Sequence, residues 1–179
     1  MWKQAEKENE GDQKKNVQNF IKLKIGCHNK LDGYINVDID ANTNPDLLSD
    51  MRNLSTIKNN SVIEIIAENV LEHIPDTLTA LKEFHRVLTA FGKLIIISPH
   101  ALNPNLHSTP DHYKGFTYTT FAQFWQDDHI NYPKFICHKR RLILEYKFWQ
   151  FLADWFPLKM EKLFWIFPPK EIHVELVKP

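Results

Sequence analysis

Residues 61–100, SVIEIIAENVLEHIPDTLTALKEFHRVLTAFGKLIIISPH, decide the fold of this chain. Residues 62–67 are a short apolar run rich in β-branched side chains and bounded by polar ones, the pattern of a strand covered on both faces. Leu94, Ile95, Ile96 and Ile97 form another such run. Between them Asp76 can cap a helix by accepting bonds from otherwise orphan N–H groups. Leu78, Leu81, Phe84, Val87 and Leu88 then recur at helical spacing and give one apolar stripe. Gly92 stands where a left-handed helix stop is wanted. Strand, helix and strand with a crossover of this length form a right-handed βαβ unit, and with it a parallel sheet. Such a unit occurs in any α/β protein. What distinguishes this one is the polar cluster Glu68, Asn69, Glu72 and His73 just past the first strand. Open α/β sheets bind their ligands at that edge.

Upstream, residues 20–25 alternate Phe20, Lys22 and Lys24 against Ile21, Leu23 and Ile25, a strand with one better-buried face that Gly26 stops. Residues 34–39 make a second strand ending in Asp38 and Asp40, and residues 46–49 a short third one ending at Asp50. The links between these strands are short, whereas parallel neighbours need roughly a dozen residues or more. Spacing alone therefore fits an antiparallel meander. Residues 1–16 mix both charge signs with almost no apolar content and read as a disordered leader. Residues 17–179 form a single domain.

Downstream, residues 101–134 open with ALNPNLHSTPDHYKG, which has no periodicity and reads as a loop. Long loops in compact domains are usually functional. Residues 135–144 read as a strand, and 172–177 alternate as a closing strand. Residues 146–169 are dominated by bulky side chains, broken at Pro157 and ended by Pro168 and Pro169. This helical segment has three readings. It is a lid over the sheet and the acceptor pocket, which we prefer; a homodimer interface, since exposed aromatic patches seldom stay exposed; or a peripheral membrane-surface helix. The mixed charges Lys147, Asp154, Lys159, Glu161 and Lys162 argue against anionic lipid.

The balance of 22 basic and 22 acidic residues offers no global attraction to nucleic acid. Cys27 and Cys137 are too few for a disulfide framework, which favours a reducing, cytoplasmic setting. No apolar run reaches the ~18 residues of a membrane span.

Asn69-Val70-Leu71-Glu72-His73-Ile74-Pro75, followed by Ala80-Leu81-Lys82-Glu83-Phe84-His85-Arg86-Val87-Leu88, resembles the class I S-adenosylmethionine-dependent methyltransferases. Leu23-Lys24-Ile25-Gly26-Cys27, Gly33-Tyr34-Ile35-Asn36-Val37-Asp38 and residues 46–54 are similar to the same family. The ending Phe167-Pro168-Pro169-Lys170-Glu171-Ile172 looks like a small subgroup associated with surface-polysaccharide genes. The resemblance implies a Rossmann-like, mostly parallel sheet with shortened first crossovers and an antiparallel C-terminal strand. It also implies S-adenosyl-L-methionine as cofactor and methyl transfer to a hydroxyl of a sugar or other small acceptor.

Residue by residue, the resemblance places the cofactor against Gly26, Cys27, His28, Asp38, Asp50, Met51, Glu68, Asn69 and His73. Gly26 permits a tight turn and close backbone approach. Asp38 can accept both ribose hydroxyls, with Asp40 as its rival. Asp50 can take the adenine amine and Met51 can pack on the ring. Glu68 and Asn69 face the methionine moiety, and His73 either acts in the site or fixes the turn before the helix. On the acceptor side, His112 is the expected general base, oriented by Asp111 or His107. His100, His107, His112 and Asp111 also have the chemistry of a zinc site, but their spacing matches no motif and no metal is expected. The chain departs from the family where His28 replaces a loop glycine, where Ile63 replaces an acid, and at Thr89-Ala90-Phe91-Gly92. The His28 change motivates the alternative of a non-catalytic binding module with a degenerate cofactor loop.

Overall fold

The computed structural model describes residues 20–126 and 131–179. The leader expected over residues 1–16 lies outside them. Strands β1 (Ile21–Ile25), β2 (Ile35–Asp38), β3 (Leu47–Leu48), β4 (Val62–Glu68) and β5 (Leu88–Pro99) run parallel to one another. Strands β6 (Ile136–Leu144) and β7 (Pro169–Val177) complete a seven-stranded sheet of order β3-β2-β1-β4-β5-β7-β6, with β7 antiparallel to both β5 and β6.

The meander that spacing alone suggested for the first three strands does not form. Leu23 pairs with Ile35 and Val37 with Leu47 in parallel register. The β2–β3 link holds only the 3-10 turn Ala41–Thr43, capped by Asp40 and closed by Asn44 at φ 52°. Shrinking the crossovers has a visible cost. Leu23, Ile25, Ile65 and Ala67 are buried on one face of the sheet. The alternate residues on the other face are only half-buried or charged, so β4 is not covered on both sides as its composition suggested. Cross-strand ion pairs occupy that face instead: Lys22 with Glu64 at 3.2 Å and Lys24 with Glu68 at 3.1 Å, the Tyr34 hydroxyl also meeting Glu64.

Helix α1 (Thr77–Val87) begins as expected. Asp76 accepts from the Thr79 N–H, and Ala80, Leu81, Phe84 and Val87 are buried against the sheet. Its end differs from expectation. The chain passes straight from Val87 into β5, and Gly92 lies buried within that strand. The left-handed residue is Phe91, at φ 61° and 77% exposed. It is held there by backbone bonds of Phe91 and Gly92 to Lys178, at 2.8 and 3.0 Å. A bulky L-residue in that conformation costs ~1–2 kcal/mol, part of which glycine returns through unfolded-state entropy. Phe91→Gly is therefore expected to raise Tm by roughly 2 °C. A lower Tm by calorimetry would show that the exposed ring contributes packing.

Beyond β5, Phe116, Phe121 and Phe124 carry the aromatic core, the last within α2 (Gln123–Gln126). Residues 146–169 are helical in part, as α3 (Gln150–Trp155) and α4 (Pro157–Lys162). They bury little apolar surface: Ala153 and Met160 are inside, while Trp155 and Trp165 are 79% and 85% exposed. Polar ties anchor them. Asp154 pairs with Arg141 at 2.8 Å, and Glu161 meets His100 Nε2 and the Tyr118 N–H, each at 2.7 Å. Burial pushes the Glu161 carboxyl up, but these two bonds outweigh it and leave it below the ordinary glutamate value of 4.5. A carboxylate depressed on folding stabilises fully above the unfolded value and loses that contribution as pH falls through its folded pKa. Glu161→Gln should thus cost roughly 1–3 kcal/mol in urea unfolding at pH 7. The gap to wild type should shrink as pH falls below 4.5; a constant gap would mean that charge is not the cause. No helix among the described residues is long and apolar enough to cross a membrane.

Candidate active site

The carboxyl ends of β1, β2 and β4 border a cavity of about 680 Å³, at the point where strand order reverses. Gly26, Cys27, His28, Asp38, Asp50, Met51, Glu68, Asn69 and His73 all line it. Gly26 has φ 84°, and a Cβ there would stand 2.4 Å from Val70 Cγ1, so only glycine lets the chain turn beneath the cavity. The Asp38 carboxylate holds this turn, accepting from the Cys27 N–H at 2.7 Å and the Asp40 N–H at 3.0 Å. Burial pushes Asp38 up, but those N–H bonds prevail and keep it below the usual carboxylate range. The Ile39 N–H and the Thr43 hydroxyl also bond to this carboxylate, so a ligand would have to share its roughly four lone-pair sites with them. Asp40 also lines the cavity, and its Oδ1 caps the following 3-10 turn through Asn42. His28 is exposed at the rim and leaves the cavity open.

The other wall departs from simple expectation. Both oxygens of Asp50 are held by the Arg52 guanidinium, at 2.6–3.1 Å, which also lowers its pKa. An adenine amine would have to share that carboxylate. Glu68 is held by the buried Lys24. Asn69, at φ 50°, turns the chain out of β4 into the 3-10 turn Leu71–His73. Lys24, Arg52 and Tyr113 line the cavity without having been singled out as ligands.

At the acceptor end the loop histidines do not come together. His100 is buried, with Nε2 on Glu161 and Nδ1 accepting from the Leu102 N–H. His107 is exposed at the end of the 3-10 turn Pro104–Ser108 and joins neither the cavity nor His112. Asp111 lines the cavity but pairs with His73, Oδ2 to Nδ1 at 3.0 Å, not with His112. The His112 ring stands edge-on to His73, 4.6 Å between centroids. Its Nδ1 lies 2.8 Å from the Leu106 carbonyl. A carbonyl only accepts, so Nδ1 carries the proton and Nε2 keeps its lone pair. Behind both rings sits Glu72, 1% exposed, with one oxygen on Ser98 Oγ at 2.8 Å. Burial pushes its carboxyl up. The sequence places Glu72 in the polar cluster, but only the turn's geometry shows it pointing inward. None of residues 146–169 is among those that line the cavity. The aromatic segment packs on β6 through α3, and Arg141–Asp154 pins it there.

A family model described as a methyltransferase domain matches residues 32–96. A solved S-adenosylmethionine-dependent methyltransferase from Archaeoglobus fulgidus superposes with TM-score 0.66 at 16% identity, over 90% of this chain and 87% of that one. The fold is that of the class I S-adenosylmethionine-dependent methyltransferases. A methyltransferase of the same cofactor dependence from Mesorhizobium loti gives TM-score 0.57 at 12% identity, over 88% of this chain and 90% of that one. The N-methyltransferase NodS from Bradyrhizobium japonicum, solved with S-adenosyl-L-homocysteine, gives 0.54 at 14% identity, over 89% and 78%. No curated protein sequence matches the chain.

Proposed function

We propose that the chain is a S-adenosylmethionine-dependent methyltransferase acting on a hydroxyl of a small acceptor, in the sugar class. One observation carries the cofactor assignment: every residue put forward as a cofactor contact lines a single cavity at the switch point. Its volume lies in the ~300–1,000 Å³ range of small-molecule clefts. Bound there, S-adenosylmethionine supplies an electrophilic methyl that an in-line acceptor oxygen attacks, forming C–O as C–S breaks. Asp38 takes the ribose hydroxyls, and the Gly26 turn admits close backbone approach. The chain must also hold the acceptor in line and receive its proton. His73, Asp111 and Tyr113 line the cavity, and His112 backs them. The sugar class is supported by the resemblance of residues 167–172 to the polysaccharide-associated subgroup. The free thiols Cys27 and Cys137 support a cytoplasmic location.

The non-catalytic alternative is not favoured, because the cavity stays open beside the exposed His28. Calorimetric titration with S-adenosylmethionine and S-adenosylhomocysteine tests this directly, with His28→Gly alongside. Both proteins should bind each ligand within a few-fold of one another. Absence of binding in wild type, regained in His28→Gly, would reinstate the degenerate module. The acceptor class is then read from S-adenosylhomocysteine release across a panel of nucleotide sugars and free sugars.

A further inference from the structure

We infer that Glu72, His73 and His112 form a binding site for one divalent transition ion of the zinc class at the acceptor end of the cavity. Candidate ligand atoms of the three residues all lie within 4.8 Å of one another. Two imidazoles and a carboxylate suit borderline ions such as zinc, cobalt and iron better than magnesium or calcium. Three protein ligands with room for another is the pattern of reactive rather than structural metal sites.

The surroundings are those of a built site. Metal-bound histidines characteristically donate their second ring nitrogen to an oxygen, which fixes the tautomer and aims the lone pair. Both histidines have this arrangement: His73 Nδ1 is 3.0 Å from Asp111, and His112 Nδ1 is 2.8 Å from the Leu106 carbonyl. Glu72 is likewise oriented by Ser98 Oγ. The Tyr113 N–H donates to the Glu72 carbonyl at 2.8 Å, fastening the loop that carries His112 to the turn that carries the other two.

An independent observation points to a missing partner. Glu72 is 1% exposed, and its Oε1 has no hydrogen-bond partner among the described residues. A cluster serving only to staple the loop would have satisfied that oxygen. Leaving a buried carboxylate oxygen unpaired is costly, and a cation bound there removes the cost. His73 and Asp111 line the cavity, so the remaining coordination positions face the acceptor. The ion would draw an acceptor hydroxyl into line and ease loss of its proton. That role, unlike the binding itself, rests on the methyltransferase reading.

Chelator-treated full-length protein titrated with cobalt(II) tests the site, read by visible ligand-field absorption and by calorimetry. Wild type should bind one equivalent with a coloured spectrum. His112→Asn keeps a donor for the Leu106 carbonyl, and Glu72→Gln keeps an acceptor for Ser98. Each should weaken binding at least tenfold while circular dichroism stays unchanged. Asp111→Asn should weaken it by roughly 10–100-fold through the orientation of His73. A wild type with no saturable one-equivalent binding, or variants that bind as wild type does, overturns the site. S-adenosylmethionine titration of the same samples separates the two ideas. Cofactor binding without cobalt binding leaves the methyltransferase reading standing and sinks the metal, and the converse sinks the methyltransferase reading alone.

Discussion

Affinity for S-adenosylmethionine is expected to fall about 10²-fold in Asp38→Ala. A carboxylate that receives two ribose hydroxyls makes hydrogen bonds worth ~1.5–3 kcal/mol each, and every 1.4 kcal/mol is tenfold. Asp38 ends β2 with its carboxylate accepting from the Cys27 and Asp40 N–H groups, and Ile39 and Thr43 also bond to it. Its removal therefore also slackens the Gly26 turn on which the methionine moiety would rest. Asp38→Asn keeps one acceptor oxygen and should fall between the two. Asp40 competes for the role, since it lines the same cavity and accepts from Asn42 through Oδ1. Asp40→Ala should cost a few-fold in affinity. Calorimetry on the two alanine variants decides: an unchanged Asp38→Ala with a crippled Asp40→Ala would transfer the ribose to Asp40.

The parts legible in the sequence are those that local chemistry determines. Asp76 caps α1 because an N-cap needs only the next turn, and residues 62–67 and 94–97 could be strands because their composition suits little else. That the candidates at strand ends would border one cavity was legible for another reason: topology places strand ends at the switch point whatever the loops do. Non-local decisions were not. His73 and Asp111 are far apart in sequence, and only the return of the loop after β5 lets Asp111 choose His73 over His112. Glu72 and His73 are adjacent, but the 3-10 turn sends one inward and leaves the other facing the cavity. The aromatic run over 146–169 misled in another way. Bulky residues without helical periodicity do not say which side is buried, and here small Ala153 and flexible Met160 make the contact while the tryptophans stay outside. Gly92 misled because what is special there is a tight approach by Leu88 and Thr89, at 3.0–3.1 Å from where a Cβ would stand, and not a positive φ.

Turnover should fall by roughly 10²–10⁴-fold in His112→Asn, with cofactor affinity nearly intact. The choice of asparagine isolates one atom. Its amide nitrogen can occupy the place of Nδ1 and keep the bond to the Leu106 carbonyl, so the loop should remain folded. What is lost is Nε2, the nitrogen whose lone pair that bond leaves free. His112 is not among the residues lining the cavity, which is why calorimetry with S-adenosylmethionine should change little. A hydroxyl acceptor must shed its proton as the new bond forms. Nε2 would serve that step either by taking the proton itself or by holding an ion that makes the hydroxyl more acidic. Raising the pH should partly rescue the variant, since solvent hydroxide then does what the imidazole did. A variant within a few-fold of wild type would remove His112 from the chemistry. Equal loss of cofactor binding and thermal stability would assign it to the loop alone. His73→Asn supplies the remaining comparison: it too keeps a donor for Asp111, so a matching loss of turnover would mean that the two imidazoles work as one unit.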